Sequence, residues 1–84
     1  MSMYFITFRS VTFAQRAEKL LSRQGIRVKI MRTPRWMEEQ GCGYALKLWT
    51  TDMKAVLILL QENKIQLRKL YAHRTDGELE EVSL

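Results

Sequence analysis

The chain contains one cysteine, Cys42, and both of its neighbours are glycines. Gly41 and Gly43 carry no side chains that could shield the sulfur, and glycine lets the backbone turn sharply with its N–H groups free. Such a turn can form a small nest of N–H groups that attracts an anion and so favours the thiolate over the thiol. Because the thiolate is the nucleophilic form of cysteine, this tripeptide predicts a reactive or binding centre at Cys42.

Positive charge lies near this cysteine in the sequence. Arg32 and Arg35 belong to the same connection, and Lys47 follows in the next predicted strand. A cation close to a sulfur stabilises its negatively charged form. The predicted surroundings of the thiol are therefore Gly41, Gly43, Arg32, Pro34, Arg35 and Lys47.

Two features of this region allow more than one interpretation. Free cysteines are among the most buried residue types, so Cys42 could be a small apolar residue of the interior, although its polar neighbours in the sequence argue against this. The connection 34–40 could form a short helical turn that covers the thiol as a lid or docking segment. It could equally be a surface turn in which Trp36 packs against the domain.

Periodic patterns predict the elements that position this centre. Strands are predicted over residues 3–8, 26–31, 44–49 and 67–73, and helices over 12–24 and 52–63. The order βαββαβ with right-handed crossovers predicts an α+β, ferredoxin-like domain. We expect a four-stranded antiparallel sheet with the first and third strands in its centre and two helices on one face. The turn pair Asp76-Gly77 could fold residues 78–82 back as an edge strand.

Capping patterns predict where the helices begin and end. Thr12 with Gln15 three residues later has the spacing of a capping box, which predicts Thr12 as the N-cap of the first helix. Gly25 is expected to end that helix in the left-handed conformation that glycine tolerates. Asn63 is the predicted end of the second helix.

Bases and aromatic residues alternate onto the sheet face that no helix is expected to cover. The residues predicted there are Phe5, Thr7, Arg27, Lys29, Lys47, Trp49, Lys69, Tyr71 and His73. RNA-recognition domains stack bases on such a face, but their K/R-G-F/Y-G/A-F-V-x-F/Y signature is absent here. We favour the alternative, in which a second subunit or the tail covers this face, since apolar patches often mark protein interfaces. The predicted interface residues are Trp49, Tyr71, Ile58 and Leu59.

The charge of the chain is divided unevenly along its length. Residues 1–50 contain nine Lys or Arg and three Asp or Glu, whereas residues 51–84 contain five and six. A basic body suggests an anionic partner or substrate, although it could also be ordinary solubilising charge. The length of 84 residues is that of one small domain, which we place at 1–74, with an acidic C-terminal tail at 75–84.

Several function classes find no support in the residues. One cysteine cannot form a disulfide within the chain, and with one histidine it cannot complete a zinc site at ordinary spacing. We expect no cofactor and no metal. No signal peptide or membrane span is predicted, so we expect a cytoplasmic protein in which the thiol stays reduced.

The sequence resembles a known family along most of its length. The first strand, 4–8, is followed by a helix of the character Ala-x-x-x-Glu/Lys-Leu-Leu at 14–21 and by Gly-Ile-x-Val at 25–28. A Pro-Arg pair at 34–35 then precedes a Cys-Gly step at 42–43, directly before the third strand. In these features, over roughly residues 4 to 72, the chain is similar to the putative selenium/sulfur carrier protein-like family.

The resemblance implies a role in handling sulfur or selenium. Cys42 would be the carrier residue and Arg35 its positively charged neighbour. Such a protein would be a carrier more than a true enzyme, would need no cofactor, and would meet a donor and an acceptor protein. The chain departs from the family pattern at Trp36 and Met37, where smaller or polar residues are commoner, and in its acidic tail.

Two other functions stay open from the residues. The chain could be a non-enzymatic interaction or regulatory module that forms a homodimer through its sheet or second helix, with Cys42 incidental. It could also be a single-stranded RNA-binding module that uses the basic aromatic face, although we expect nucleic acid to be the less favoured partner.

Overall fold

The computed structural model describes residues 2–33, 43–74 and 77–82 of the chain. This part of the protein forms, in order, β1 (Ser2–Thr7), α1 (Val11–Arg23), β2 (Arg27–Arg32), β3 (Tyr44–Thr50), α2 (Met53–Glu62), β4 (Lys69–His73) and β5 (Leu79–Val82). All strand pairs are antiparallel. The predicted α+β class, with two helices and an antiparallel sheet, is confirmed.

The predicted number of strands is wrong, because the sheet of the described residues has five. Its order is β2-β3-β1-β4-β5, so β1 and β3 lie inside the sheet and β2 and β5 form its edges. The possible edge strand at 78–82 is confirmed, since Leu79 lies opposite His73 and the strand runs antiparallel to β4. The segment predicted as an acidic tail therefore supplies a strand. The domain boundary after residue 74 and the ferredoxin-like classification stay predictions.

A short turn joins the last two strands. The Arg74 N–H donates to the Glu78 carbonyl over 2.8 Å, and the Gly77 N–H donates to the Arg74 carbonyl over 3.1 Å. Gly77 has a φ of 90°, in the left-handed region that glycine adopts readily. This glycine explains why the chain reverses here, as its sequence predicted; Asp76 lies outside the described residues.

The N-cap of the first helix lies two residues earlier than the sequence predicted. This N-cap is Ser10, whose side-chain oxygen accepts a hydrogen bond from the Phe13 N–H over 3.2 Å. Thr12 is therefore not the cap and lies in the first turn of α1. Both residues carry a hydroxyl group that could cap a helix, and Ser10 has the extended backbone, with φ −139° and ψ 151°, that an N-cap adopts.

The predicted end of α1 at Gly25 is confirmed. Gly25 has a φ of 79°, and its N–H donates to the Ser22 carbonyl over 3.0 Å. The Ile26 N–H donates to the Leu21 carbonyl, also over 3.0 Å. These two bonds form a Schellman motif, which satisfies carbonyl groups that the end of a helix leaves unpaired.

The second helix ends in the same way but without glycine. Its C-cap is Asn63, as predicted, and the following residue, Lys64, has a φ of 57°. The Lys64 N–H donates to the Gln61 carbonyl and the Ile65 N–H to the Leu60 carbonyl, each over 3.0 Å. A lysine here bears the steric strain of the left-handed conformation, which costs roughly 1–2 kcal/mol for a residue with a Cβ.

The main core lies between the helices and one face of the sheet. Both helices contribute to a single buried cluster, which explains why the apolar stripes of α1 and α2 face the same way. Its buried members are Ile6, Phe8, Ala14, Ala17, Leu21, Leu46, Leu48, Met53, Val56, Leu60, Ile65 and Leu70. A smaller cluster on the other face contains buried Phe5 and Tyr71, with Met3, Met31 and Leu79 packed against it.

Candidate functional site

The two ends of the connection between β2 and β3 lie side by side. The Thr33 N–H donates to the Gly43 carbonyl over 2.9 Å, and Arg32 lies directly opposite Tyr44 in the strand register. We call these four residues the root of the connection. The connection itself, with the predicted site residues Pro34, Arg35, Gly41 and Cys42 and the predicted helical turn at 34–40, lies outside the described residues.

Two features of the root bear on the predicted centre. Gly43 has a φ of 82°, a left-handed conformation that residues with a side chain rarely adopt, so the glycine after Cys42 meets a backbone requirement. The Thr33 side chain is buried, and its hydroxyl oxygen has no hydrogen-bond partner among the residues that the structure describes. Buried hydroxyl groups usually have a partner, so the Thr33 hydroxyl leaves one hydrogen bond to be made at the base of the connection.

Arg32 keeps a positive charge at the root. Its guanidinium carbon lies 5.5 Å from the centre of the Tyr44 ring, a cation–π contact within one strand pair. The Arg32 side chain is exposed. Of the three cations predicted near the thiol, Arg32 is therefore the one that the described structure places beside the ends of the connection.

Lys47 lies away from the root. It follows Gly43 by four residues along β3, which corresponds to about 13 Å at ~3.3 Å per residue. Its Nζ lies 5.2 Å from the centre of the Trp49 ring and 5.8 Å from that of the Phe5 ring. Side chains alternate along a strand, so Lys47 and Tyr44 point to opposite faces, and the structure does not bring Lys47 and Arg32 together.

The strand register places the predicted basic and aromatic residues on the sheet face opposite the helices. One row crosses all five strands, in the order Lys29, Lys47, Phe5, Tyr71 and Glu81. We call this face the outer face. It carries two cations at the β2 edge of the row and a carboxylate at the β5 edge.

The aromatic rings of the outer face are largely covered. Phe5 is 7% exposed and Tyr71 is 6% exposed, although no helix of the described residues packs on this side. The guanidinium carbon of Arg27 lies 4.5 Å from the centre of the Trp49 ring, which also carries the Lys47 contact. Base stacking needs exposed ring faces, so this arrangement disfavours the RNA-binding alternative.

Cations on the two halves of the outer face have different surroundings. On the β4 side, Lys69 Nζ lies 3.5 Å from Glu81 Oε1. On the β2–β3 side, Arg27, Lys29 and Lys47 have no ion pair with any described carboxylate. Sequence reasoning found these cations but not this division, because the strand register decides which cation lies beside β5.

The predicted interface residues lie on two different surfaces. Trp49 and Tyr71 belong to the outer face, whereas Ile58 and Leu59 lie on α2, on the other side of the sheet. Ile58 is 48% exposed and, with Leu59, lines a groove between α2 and Ile26, the residue before β2. The four residues therefore do not form one contact patch.

A family model described as "Putative Se/S carrier protein-like" matches residues 3–72 of the chain. The chain belongs to this Se/S carrier-like family. The resemblance that the sequence suggested over about residues 4–72 is thereby confirmed. No curated protein and no solved structure matches the chain.

The residues that the family model matches include the candidate site. The matched residues run from β1 into β4, and they include the root of the connection and Cys42. Strand β5, which carries Glu81, lies beyond the match. The name of the Se/S carrier-like family indicates a carrier of selenium or sulfur, and no particular cargo or partner.

Within 2–33, 43–74 and 77–82, no three His, Cys, Asp or Glu side chains come together as metal ligands could, so no metal-binding residues can be named there. Neither of the two helices in these ranges has the length and apolar character needed to cross a membrane.

Proposed function

We propose that this protein carries sulfur or selenium as a persulfide or selenosulfide on Cys42 and passes it to an acceptor protein. One observation carries the proposal: the family match spans residue 42, and Cys42 is the only thiol in the chain. A covalent carrier of this kind needs a nucleophilic sulfur, and no other side chain of the protein supplies one. The proposed location is the cytoplasm, where thiols stay reduced.

The loading step is a sulfur transfer without net oxidation. The Cys42 thiolate attacks the outer sulfur of a donor persulfide, R–S–SH, and a new S–S bond forms while the donor S–S bond breaks. The donor leaves as the thiolate R–S⁻, and the proton stays with the transferred sulfur. Unloading repeats the exchange with an acceptor nucleophile, so the protein needs no cofactor for either step.

The root of the connection supports this chemistry. Arg32 supplies a positive charge beside the ends of the connection, and such a charge favours the thiolate form of a nearby cysteine. The Thr33 hydroxyl is buried at the same place, and within 2–33, 43–74 and 77–82 it has no hydrogen-bond partner. The Thr33–Gly43 hydrogen bond fixes the two ends of the connection against each other.

Glutathione persulfide is the probe that tests loading. After incubation and removal of excess donor, the intact mass of the wild type should rise by one sulfur atom, and that of Cys42→Ala should not change. Cyanide should then remove the outer sulfur as thiocyanate and restore the original mass. Selenodiglutathione provides the selenium arm, in which the thiolate displaces one glutathione and retains a glutathionyl selenosulfide.

A relocated thiol is the matched control, because any accessible cysteine can accept some sulfur. The triple variant Cys42→Ser, Gln15→Cys and Lys19→Gln keeps one cysteine, moves it to an exposed position of α1 and removes the lysine that lies one helical turn further on. We expect it to load about tenfold more slowly than wild type, since it lacks the positive charge near residue 42. Equal loading rates, or no loading of wild type, would contradict the proposal and leave the interaction module as the better hypothesis.

A further inference from the structure

We propose that Arg27, Lys29 and Lys47, arranged around Trp49, form a docking surface for an acidic segment of the protein that exchanges sulfur with Cys42. We call these four residues the cationic patch. The inference rests on the proposed function, because a carrier must meet a donor and an acceptor. It adds where on the carrier they bind and what chemistry they present.

The first argument is a pair of like charges. Lys29 lies directly opposite Lys47 on the neighbouring strand, and Arg27 lies opposite Trp49 one step along the same face. Like charges facing each other across two strands destabilise a sheet. A bound carboxylate group between them would remove this repulsion, so the patch gains most from an anionic partner.

The second argument is that two of the three cations, Arg27 and Lys47, are held in place before any partner binds. The guanidinium carbon of Arg27 lies 4.5 Å from the centre of the Trp49 ring, and Lys47 Nζ lies 5.2 Å from the same centre. Cation–π contacts orient long side chains that would otherwise lose freedom when a partner binds. Arginine also binds carboxylate groups through two parallel hydrogen bonds, which gives the docking a defined orientation.

The third argument comes from the rest of the outer face. Glu81 pairs with Lys69 on the β4 side, and no described carboxylate pairs with the cationic patch. The face therefore changes from basic to acidic between its two edges. An acidic segment would be attracted to the β2–β3 half and repelled by β5, which sets where it can bind.

The same features favour protein over nucleic acid as the occupant. Phe5 and Tyr71 are too buried to stack on bases, and the half-buried Trp49 ring already contacts Arg27 and Lys47. A long polyanion that crossed the sheet would also meet Glu81 at the far edge of the row. A short acidic segment meets neither obstacle.

The position of the patch suits a carrier. Lys29 precedes Arg32 by three residues, about 10 Å along β2 at ~3.3 Å per residue. A segment docked on the patch would therefore lie about this distance from the root of the connection. That spacing would place a partner docked on the sheet near the two ends of the connection that contains Cys42.

A binding measurement tests the patch directly. The probe is a short fluorescein-labelled peptide of alternating glutamate and serine, with a glutamine-for-glutamate peptide as the neutral control, followed by fluorescence anisotropy at several salt concentrations. We expect the acidic peptide alone to bind, with an affinity that falls as salt rises. Arg27→Glu with Lys29→Glu should weaken its binding at least about tenfold, and the milder Arg27→Gln with Lys29→Gln should weaken it less.

Charge-matched variants separate the patch from the net charge. Lys19→Glu with Lys54→Glu makes the same charge change at exposed positions of the two helices. We expect this variant to bind the acidic peptide as wild type does. The proposal would be overturned if the patch variant and the helix variant lost the same affinity for the acidic peptide. It would also be overturned if the protein bound single-stranded oligouridylate more tightly than the acidic peptide, in a manner that depends on Lys29. Salt-sensitive self-association that the patch variant abolishes would overturn it too, since a second copy would then be the occupant.

A loading experiment separates this inference from the proposed function. With a cysteine desulfurase and cysteine as the donor system, the patch variant should load Cys42 at least about fivefold more slowly than wild type and the helix variant. With glutathione persulfide, all three should load at the same rate. If the patch variant loaded Cys42 more slowly with both donors, the docking role would be contradicted. If wild type failed to load with glutathione persulfide, the carrier function would be contradicted, while the measured binding of the acidic peptide would still hold.

Discussion

Lys29 and Lys47 face each other across the β2–β3 pair, and neither forms an ion pair within the described part of the chain. Two lysines that face each other across a strand pair destabilise a sheet, whereas the oppositely charged Lys69–Glu81 pair on the same face stabilises it. The sheet thus keeps an unfavourable contact on one half and a favourable one on the other. Sites that bind a partner often retain such local destabilisation.

This relationship predicts the effect of one charge reversal on stability. Lys29→Glu replaces the facing lysines by an opposite-charge pair and should raise the free energy of unfolding by about 0.5 kcal/mol at low salt. Urea denaturation checks this value, and the gain should shrink at high salt because exposed charges are screened. Lys29→Gln, which only removes the repulsion, should gain less. A destabilised Lys29→Glu protein would show that the two ammonium groups do not repel each other.

A second prediction concerns the start of α1. Ser10→Ala removes the side-chain oxygen that accepts from the Phe13 N–H, and it should lower the free energy of unfolding by about 1 kcal/mol. Thr12→Ala, in the first turn, should change it by less than about 0.5 kcal/mol. Thermal and urea unfolding of the two variants compare the positions directly. The reverse order of effects would restore Thr12 as the cap.

A third prediction concerns the strained residue after α2. Lys64→Gly removes the steric strain of a left-handed residue and should raise the free energy of unfolding by about 1 kcal/mol. Urea denaturation measures the change, with an unaltered m-value expected because no apolar surface is exposed.

The glycine after α1 provides the matched control for this change. Gly25→Ala should lower stability by about 1 kcal/mol, and a Cβ at Gly25 would meet no atom within 4 Å, so the loss is conformational. If both substitutions changed stability in the same direction, the backbone assigned to Lys64 would be wrong.

Much of the fold could be predicted because its elements are short and largely periodic. Strands β2 to β4 largely alternate apolar and polar residues, β1 is a run of aromatic and aliphatic residues, and the helices carry apolar stripes that face one core. Strand β5 had a weaker pattern, since Leu79 joins the outer cluster while Val82 packs on the helix side. The pairing of β5 depends on contacts with β4 and on the turn at Gly77, and neither can be inferred from the short-range pattern of apolar residues.

The candidate site shows where sequence proximity fails as a guide. Lys47 lies only five residues from Cys42 in the chain, yet it contacts Phe5 and Trp49 on the outer face. The alternation of side chains along β3, not sequence distance, decides this placement. The burial of Phe5 and Tyr71 depends likewise on the cross-strand register, so their exposure could not be inferred from their positions in the sequence.

Arg32 allows a last test, which separates its charge from that of Arg35, another of the three cations that the sequence placed near the thiol. Since Arg32 lies at the root of the connection, Arg32→Gln should slow the reaction of Cys42 with iodoacetamide at neutral pH by about threefold, because less of the thiol is ionised. Arg32→Lys keeps the positive charge and should restore most of the rate. Lys19→Gln, an equal loss of charge on exposed α1, should have no effect, and so excludes a general consequence of net charge. Alkylation followed by intact mass gives all four rates. If Cys42 of the Arg32→Gln variant reacted as fast as Cys42 of wild type, the charge at the root would not stabilise the thiolate. Arg35 in the connection would then be the remaining candidate for the cation that does.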